Sequence, residues 1–247
     1  MRPRGRSASP TSPDPVSDPK NEANPMRHVT LSFLRHAKVP SHEGDMPLTD
    51  DSRADIDAGA ERLRALGRDG DRFLFLATRT NRSRQTADAL RSAIAPDAPE
   101  VEPAWGLRNP DLYLAGARVE MMSTAEAIAG QLSHTKLTPD EVHAHAFFHG
   151  FLTADDRIGY WLNHEDPPGE SAALVGRRVL QFARSFAAGD GKGLVVACVT
   201  HSPVLRALVV NGLGLTDPGE PGWVEAIDVE VGDGEVRYAF RDRAGTL

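Results

Sequence analysis

Three short stretches carry residues that can do chemistry together. They are "FLRHAK" from Phe33 to Lys38, "TRTNRSRQTA" from Thr78 to Ala87, and "VTHSPVLRAL" from Val199 to Leu208. Arginine is always charged and histidine titrates near neutrality, so the adjacent Arg35 and His36, set where an apolar run ends, must face solvent or handle an anion. The guanidinium fork of Arg35 or Arg82 matches phosphate oxygens. Helix starts after Arg82 and His201 would add backbone N–H groups and a positive dipole end. Together these groups make an oxyanion pocket whose catalytic work falls to His36 and His201. The Gly-rich loop and lysine of a nucleotide-binding P-loop are missing. So are the carboxylates that usually accompany magnesium. The expectation is therefore phosphoryl chemistry with no metal and no cofactor.

Elements that alternate along the chain must bring these stretches together. "HVTLSFL", "RFLFLAT" and "GLVVACV" read as strands, and each runs into one of the three polar motifs. Helical periodicity marks residues 50–66, with Ile56, Ala60 and Leu63 on one face, and residues 81–94, with Ala87, Leu90 and Ile94. It marks 171–186 as well, through Val175, Val179, Phe182 and Phe186. A further helix begins at Pro203 and ends near Gly212. Ile227, Val229 and Val231, then Val236, Tyr238 and Phe240, alternate on either side of Asp233-Gly234 as a hairpin does. The fold class that follows is α/β, a mostly parallel sheet sandwiched by helices, with the hairpin at an edge. Residues 96–168 read as an insertion over the carboxyl edge, with short helices near 118–132, 139–151 and 155–163. Carboxyl ends of parallel strands share one edge, where ligands bind, so the three motifs should meet there.

Residues 1–26 are rich in Pro, Ser and charge and lack aromatics; they read as a disordered tail before a single domain at 27–247. Twenty-eight basic residues stand against 35 acidic ones, a net charge of −7, which argues against a nucleic-acid or membrane-surface partner. No apolar run reaches the length of a membrane span, and the first residues lack the apolar middle of a secretory signal, which points to the cytoplasm. The single cysteine, Cys198, excludes an intrachain disulfide and reads as a buried strand residue.

The motifs resemble those of the histidine phosphatase superfamily, the phosphoglycerate mutase-like proteins. "FLRHAK" is similar to its first-histidine motif and "RSRQTA" to its second-arginine motif. "GES" at Gly169–Ser171 resembles a third landmark, and "VTHSPVLRAL" the second-histidine motif. Order and spacing agree from about residue 28 to 215. The resemblance implies that His36 is a nucleophile that becomes phosphohistidine, and that Arg35, Arg82 and His201 hold the phosphoryl oxygens. It implies a small phosphorylated substrate and a phosphatase, or alternatively a mutase. A degenerate protein that only binds a phospho-ligand is the third reading.

Two positions depart from the family pattern. The larger branch places a glutamate acid where this chain has Asn109, and an amide cannot donate a proton as an acid. The other branch has an aspartate where Ser202 stands. Asp111 is the first replacement to consider, ahead of Glu102 and Glu170; otherwise the leaving group is good enough to need no acid. Lys38 either widens a basic rim or is solvated, and Arg79 faces phosphate or the surface. His145 and His149 share a helical face as ligands can, but no third partner stands at a telling spacing; the other reading of His149 is a residue that lines the pocket. Trp105, Tyr113, Tyr160 and Trp161 read as satellite core or as an apolar substrate wall.

Overall fold

A computed structural model describes residues 29–41, 44–188, 193–232 and 234–247 of the chain. The tail at 1–26 and the turn residue Asp233 lie outside the described residues.

The order along the chain begins with β1 (Val29–Arg35), a helical turn at Asp50–Ser52, α1 (Arg53–Leu66), β2 (Arg72–Ala77) and α2 (Asn81–Ile94). The insertion holds β3 (Glu102–Pro103), β4 (Leu112–Leu114), β5 (Ala117–Val119), α3 (Ala125–Ala129), α4 (Pro139–Ala144), α5 (Ala146–Thr153) and α6 (Arg157–Leu162). Then come α7 (Ala172–Ser185), β6 (Leu194–Thr200), α8 (Ser202–Ala207), β7 (Ala226–Gly232), β8 (Glu235–Phe240) and β9 (Arg243–Thr246).

Seven strands form one sheet in the order β3-β2-β6-β1-β7-β8-β9. The half from β3 to β1 is parallel. β7, β8 and β9 add antiparallel pairings at the edge, as the hairpin pattern requires, and β9 extends it by one strand. The parallel strands are apolar nearly throughout because both of their faces are covered. Along β1, Leu31 and Phe33 enter one core cluster and Leu34 the other; along β6, Val196 and Cys198 face one way and Ala197 and Val199 the other. Helices α1 and α2 close one face through Ile56, Ala60, Leu63, Ala87 and Leu90. The insertion, α7 and α8 close the opposite face, centred on the buried Trp161, Phe148 and Phe151. No helix among the described residues is long and apolar enough to cross a membrane.

The insertion differs in detail from the sequence expectation. The span 118–132 opens as a strand, because β4 and β5 pair as a small hairpin. The span 139–151 is two helices, broken where His145 takes an extended conformation (ψ 118°). Thr138 begins α4 with a capping box to Glu141, while Asp156 caps α6 by accepting from Gly159 N. Beyond α8 the helix continues from Leu208 to Gly212 as a wider π turn. That turn packs on α7 at Gly176, where a Cβ would lie 2.5 Å from the Ala207 carbonyl oxygen.

Candidate active site

Strand register places the site. Arg35 pairs with Thr200 across β1 and β6, so the next residues, His36 and His201, emerge side by side at the carboxyl edge. Ala77 pairs with Val199 across β2 and β6, which puts Thr78 on the same edge. The two histidine rings stand 5.3 Å apart, centroid to centroid, at 66°. His36, His201, Arg35 and Arg82 are all buried, at 2%, 4%, 6% and 8% exposure. All four line one cavity of about 520 Å³.

Hydrogen bonds fix both imidazole tautomers. His36 Nδ1 lies 2.8 Å from the carbonyl oxygen of Ala37. A carbonyl can only accept, so the proton sits on Nδ1 and the lone pair on Nε2. His201 has the opposite arrangement. Its Nε2 is 3.0 Å from Thr78 Oγ1. Thr80 donates its hydroxyl to Ser83, so Thr78 must donate to Thr80, and Thr78 then accepts from His201. The proton on His201 is therefore on Nε2. One ring presents a nucleophilic nitrogen and the other is tied through an N–H.

The guanidinium groups of Arg35 and Arg82 line the same space. Arg35 Nη1 donates to the Pro221 carbonyl at 2.5 Å, and Nη2 pairs with Glu220 at 2.7 Å. Its Cζ lies over the Trp223 ring, 3.7 Å from the centroid. Arg82 Nη1 reaches the Gly44 carbonyl at 3.4 Å and Asp45 at 3.8 Å. The Nε atoms of Arg35 and Arg82 are buried and have no protein acceptor. Burial lowers the pKa of both guanidinium groups, against the pull of Glu220 and Glu225 on one and of Asp45 and Glu120 on the other. Arginine starts so high that both stay cationic. Two buried cations lining one cavity with two imidazoles can hold a tetrahedral oxyanion.

Gln85 and Thr86 brace these groups. Thr86 Oγ1 accepts from the Ala37 N–H at 2.9 Å and donates to the Arg82 carbonyl at 2.7 Å. Gln85 accepts from the Leu48 N–H at 2.9 Å. The "QTA" that follows Arg82 thus joins α2 to the loop after His36.

Asp111 does not come to the site, which corrects the expectation that it replaces the missing acid. It pairs with Arg108 at 2.7 Å and with Arg118, away from the cavity that His36 lines. Burial works to raise its carboxyl, but the hydrogen bonds and charges of the two arginines outweigh that and hold it below the ordinary aspartate value. The cause is local: β4 begins at Leu112 and turns residue 111 toward Glu170, which accepts from the Asp111 N–H at 2.9 Å. Glu170 is itself fixed by Arg178 at 2.6 Å. Gly169 seats this contact, since a Cβ there would lie 2.1 Å from the Asp111 carbonyl oxygen. Glu102 is exposed on β3.

Asn109 does line the cavity, and its buried Oδ1 has no partner. Glu120 stands beside it, a residue that sequence reasoning passed over. The Glu120 backbone N–H donates to Gln131 at 2.8 Å, and its carboxylate meets Arg118 at 3.3 Å. No spacing rule connects Glu120 to His36, because the β4–β5 hairpin that delivers it was not legible. Trp223 and Glu220 were missed for the same reason; they arrive on a loop with no periodic pattern. Lys38 is taken by Asp51 at 2.5 Å. His149 packs against His143, not in the cavity. Trp161 is core, as expected, and Trp105 is 62% exposed.

Solved structures share this architecture. Bacillus stearothermophilus YhfR superposes with a TM-score of 0.56 at 20% identity, over 86% of this chain and 96% of that one. The mycobacterial glucosyl-3-phosphoglycerate phosphatase Rv2419c, in complex with VO3, gives 0.54 at 18% identity over 87% and 97%. A phosphoglycerate mutase from Bacillus anthracis gives 0.53 at 15% identity over 87% and 92%. The chain has the phosphoglycerate mutase-like fold. No protein-family model and no curated protein sequence matches it. In this fold the carboxyl edge of the parallel strands carries Arg35, His36, Arg82 and His201 of the present chain.

Proposed function

We propose that the protein is a phosphatase that hydrolyses a small phosphorylated compound through a phosphohistidine on His36. One observation carries the reading: the two rings meet 5.3 Å apart in a cavity that two buried arginines also line. His36 Nε2 attacks phosphorus, an N–P bond forms, and the P–O bond to the leaving group breaks. Arg35 and Arg82 hold the equatorial oxygens, where charge gathers, and His201 joins them as a cation, with a second proton on Nδ1 that the phosphoryl charge favours. Because guanidinium groups supply that charge, the reaction needs no metal. Water then attacks the phosphohistidine, the N–P bond breaks, and inorganic phosphate leaves.

The leaving oxygen takes its proton from Glu120, and the attacking water returns one to it. Glu120 meets Arg118 only at 3.3 Å, and the other carboxylates at the cavity are held more tightly or lie exposed. Asp156 is locked to Arg206 at 2.6 Å, and Glu220 is fastened to both Arg35 and Ser202. Asp155 is exposed.

Phosphate release from an alkyl phosphate and from p-nitrophenyl phosphate, with and without chelator, tests the proposal. Release without isomer formation, unaffected by chelator, is expected. Glu120→Gln should slow the alkyl ester by about a hundredfold and the aryl ester much less, since nitrophenolate leaves unprotonated. Asp111→Asn should change both rates alike. Equal losses in Glu120→Gln would remove Glu120 from proton transfer.

A further inference from the structure

A second cavity of about 580 Å³ opens from the first across Arg82, Asn109, Glu120, Met122 and His201. The two are arms of one cleft. Their walls differ. The first arm has an apolar side of Met121, Phe151, Ile158 and Pro203. The second brings Arg79, Arg108 and Arg118 toward the shared Arg82, against the carboxylates of Asp45 and Glu120. In a chain of net charge −7, this is a local excess of positive charge.

Most of that charge is matched. Arg108 is paired with Asp111 and Glu170, and Arg118 with Asp111 and Glu120. Arg79 has no ion pair or hydrogen bond to any described residue. Its guanidinium instead lies over the exposed Trp105 ring, 4.2 Å from the centroid. Stacking uses the face of the guanidinium and leaves its in-plane N–H groups for an acceptor. The ring also limits its rotamers, so less freedom is lost when a ligand docks. Arg79 adjoins Thr78, the residue bonded to His201, so the free fork lies one residue along the chain from the phosphoryl site.

We infer that Arg79, backed by Trp105, forms a subsite for a second anionic group on the substrate, a carboxylate or a second phosphate. The inference rests on the proposed phosphoryl site and narrows its substrates to compounds with two anionic groups.

Binding tests it without needing turnover. The probes are alkyl phosphates of two to six carbons, the same chains with a terminal carboxylate, and the matching α,ω-bisphosphates. They are titrated calorimetrically into the His36→Ala protein and into the same protein carrying Arg79→Gln. At the best chain length, the second anionic group should tighten binding by tenfold or more. Arg79→Gln should bring that ratio close to one, and Arg79→Lys should restore part of it. A gain with either series supports the subsite and names the group. A ratio near one before Arg79 is changed overturns the inference, and so does a gain that survives Arg79→Gln. Failure of the phosphatase reading would appear separately, as absence of phosphate release by the unmodified protein.

Discussion

An arginine whose Nε–H is buried without an acceptor costs stability, about 1–3 kcal/mol for an unsatisfied donor. Arg35 and Arg82 both carry that cost, as Arg91, Arg157 and Arg178 do, and both line the cavity beside the two histidines. Arg82→Met should therefore keep or raise the Tm of the ligand-free protein. It should also abolish the Tm rise that vanadate gives the parent protein. A fall of several degrees without ligand would mean that Arg82 is structural. Thr78 acts at the same scale through His201. Thr78→Val removes the acceptor that fixes the His201 tautomer. A loss of about tenfold in kcat with little change in KM is expected, with Thr78→Ser restoring activity. An unchanged kcat in Thr78→Val would show that His201 needs no such partner.

At the scale of elements, the site depends on how the insertion is moored. Arg206 on α8 is buried and grips Asp156, the cap of α6, and Asp217 beyond α8. Its hydrogen bonds, with smaller help from the Gly159 N–H, lower the Asp156 carboxyl from 3.8 to about 2 against the opposing effect of burial. A depressed carboxylate contributes stability that is complete above its unfolded value and is lost as pH falls through its folded value. The mooring should thus hold above about pH 4 and fail as pH falls toward 2. Urea midpoints across that range should drop more steeply for the parent protein than for Asp156→Asn, and parallel curves would contradict the assignment. Elements also show what sequence could and could not convey. β1, β2 and β6 are apolar runs ending in charge, and α1, α2 and α7 keep a helical period, so their places were legible. The β4–β5 hairpin was not, because Leu112–Leu114 and Ala117–Val119 are three residues each, too short for a period to emerge. Hence Asp111 was expected at the site, and Glu120, which the hairpin actually delivers, was passed over.

For the whole molecule, two cores meet back to back on one sheet, and β6 contributes to both from between β2 and β1. Cys198 sits there with no exposure, and burial pushes its thiol far above the ordinary value. Alkylation of Cys198 should therefore require global opening, and its rate in urea should follow the unfolding equilibrium measured by circular dichroism. Labelling at native rates near those of a free thiol would contradict this packing. The same β6 carries His201 at its carboxyl end, and its register with β1 sets the spacing of the two rings. Convergence of the two histidines and two arginines was readable in advance because parallel strands share one carboxyl edge. The second arm of the cleft was not, since it is built from loops.

The central claim is that His36 carries the phosphoryl group. Mixing the protein with a phosphorylated substrate, quenching rapidly in alkali and mapping the adduct by mass spectrometry tests it most directly. A phosphoryl group on the peptide containing His36, absent in His36→Ala and longer-lived in Glu120→Gln, is the predicted result. Phosphate release with no adduct at His36, or release that persists in His36→Ala, would contradict the account.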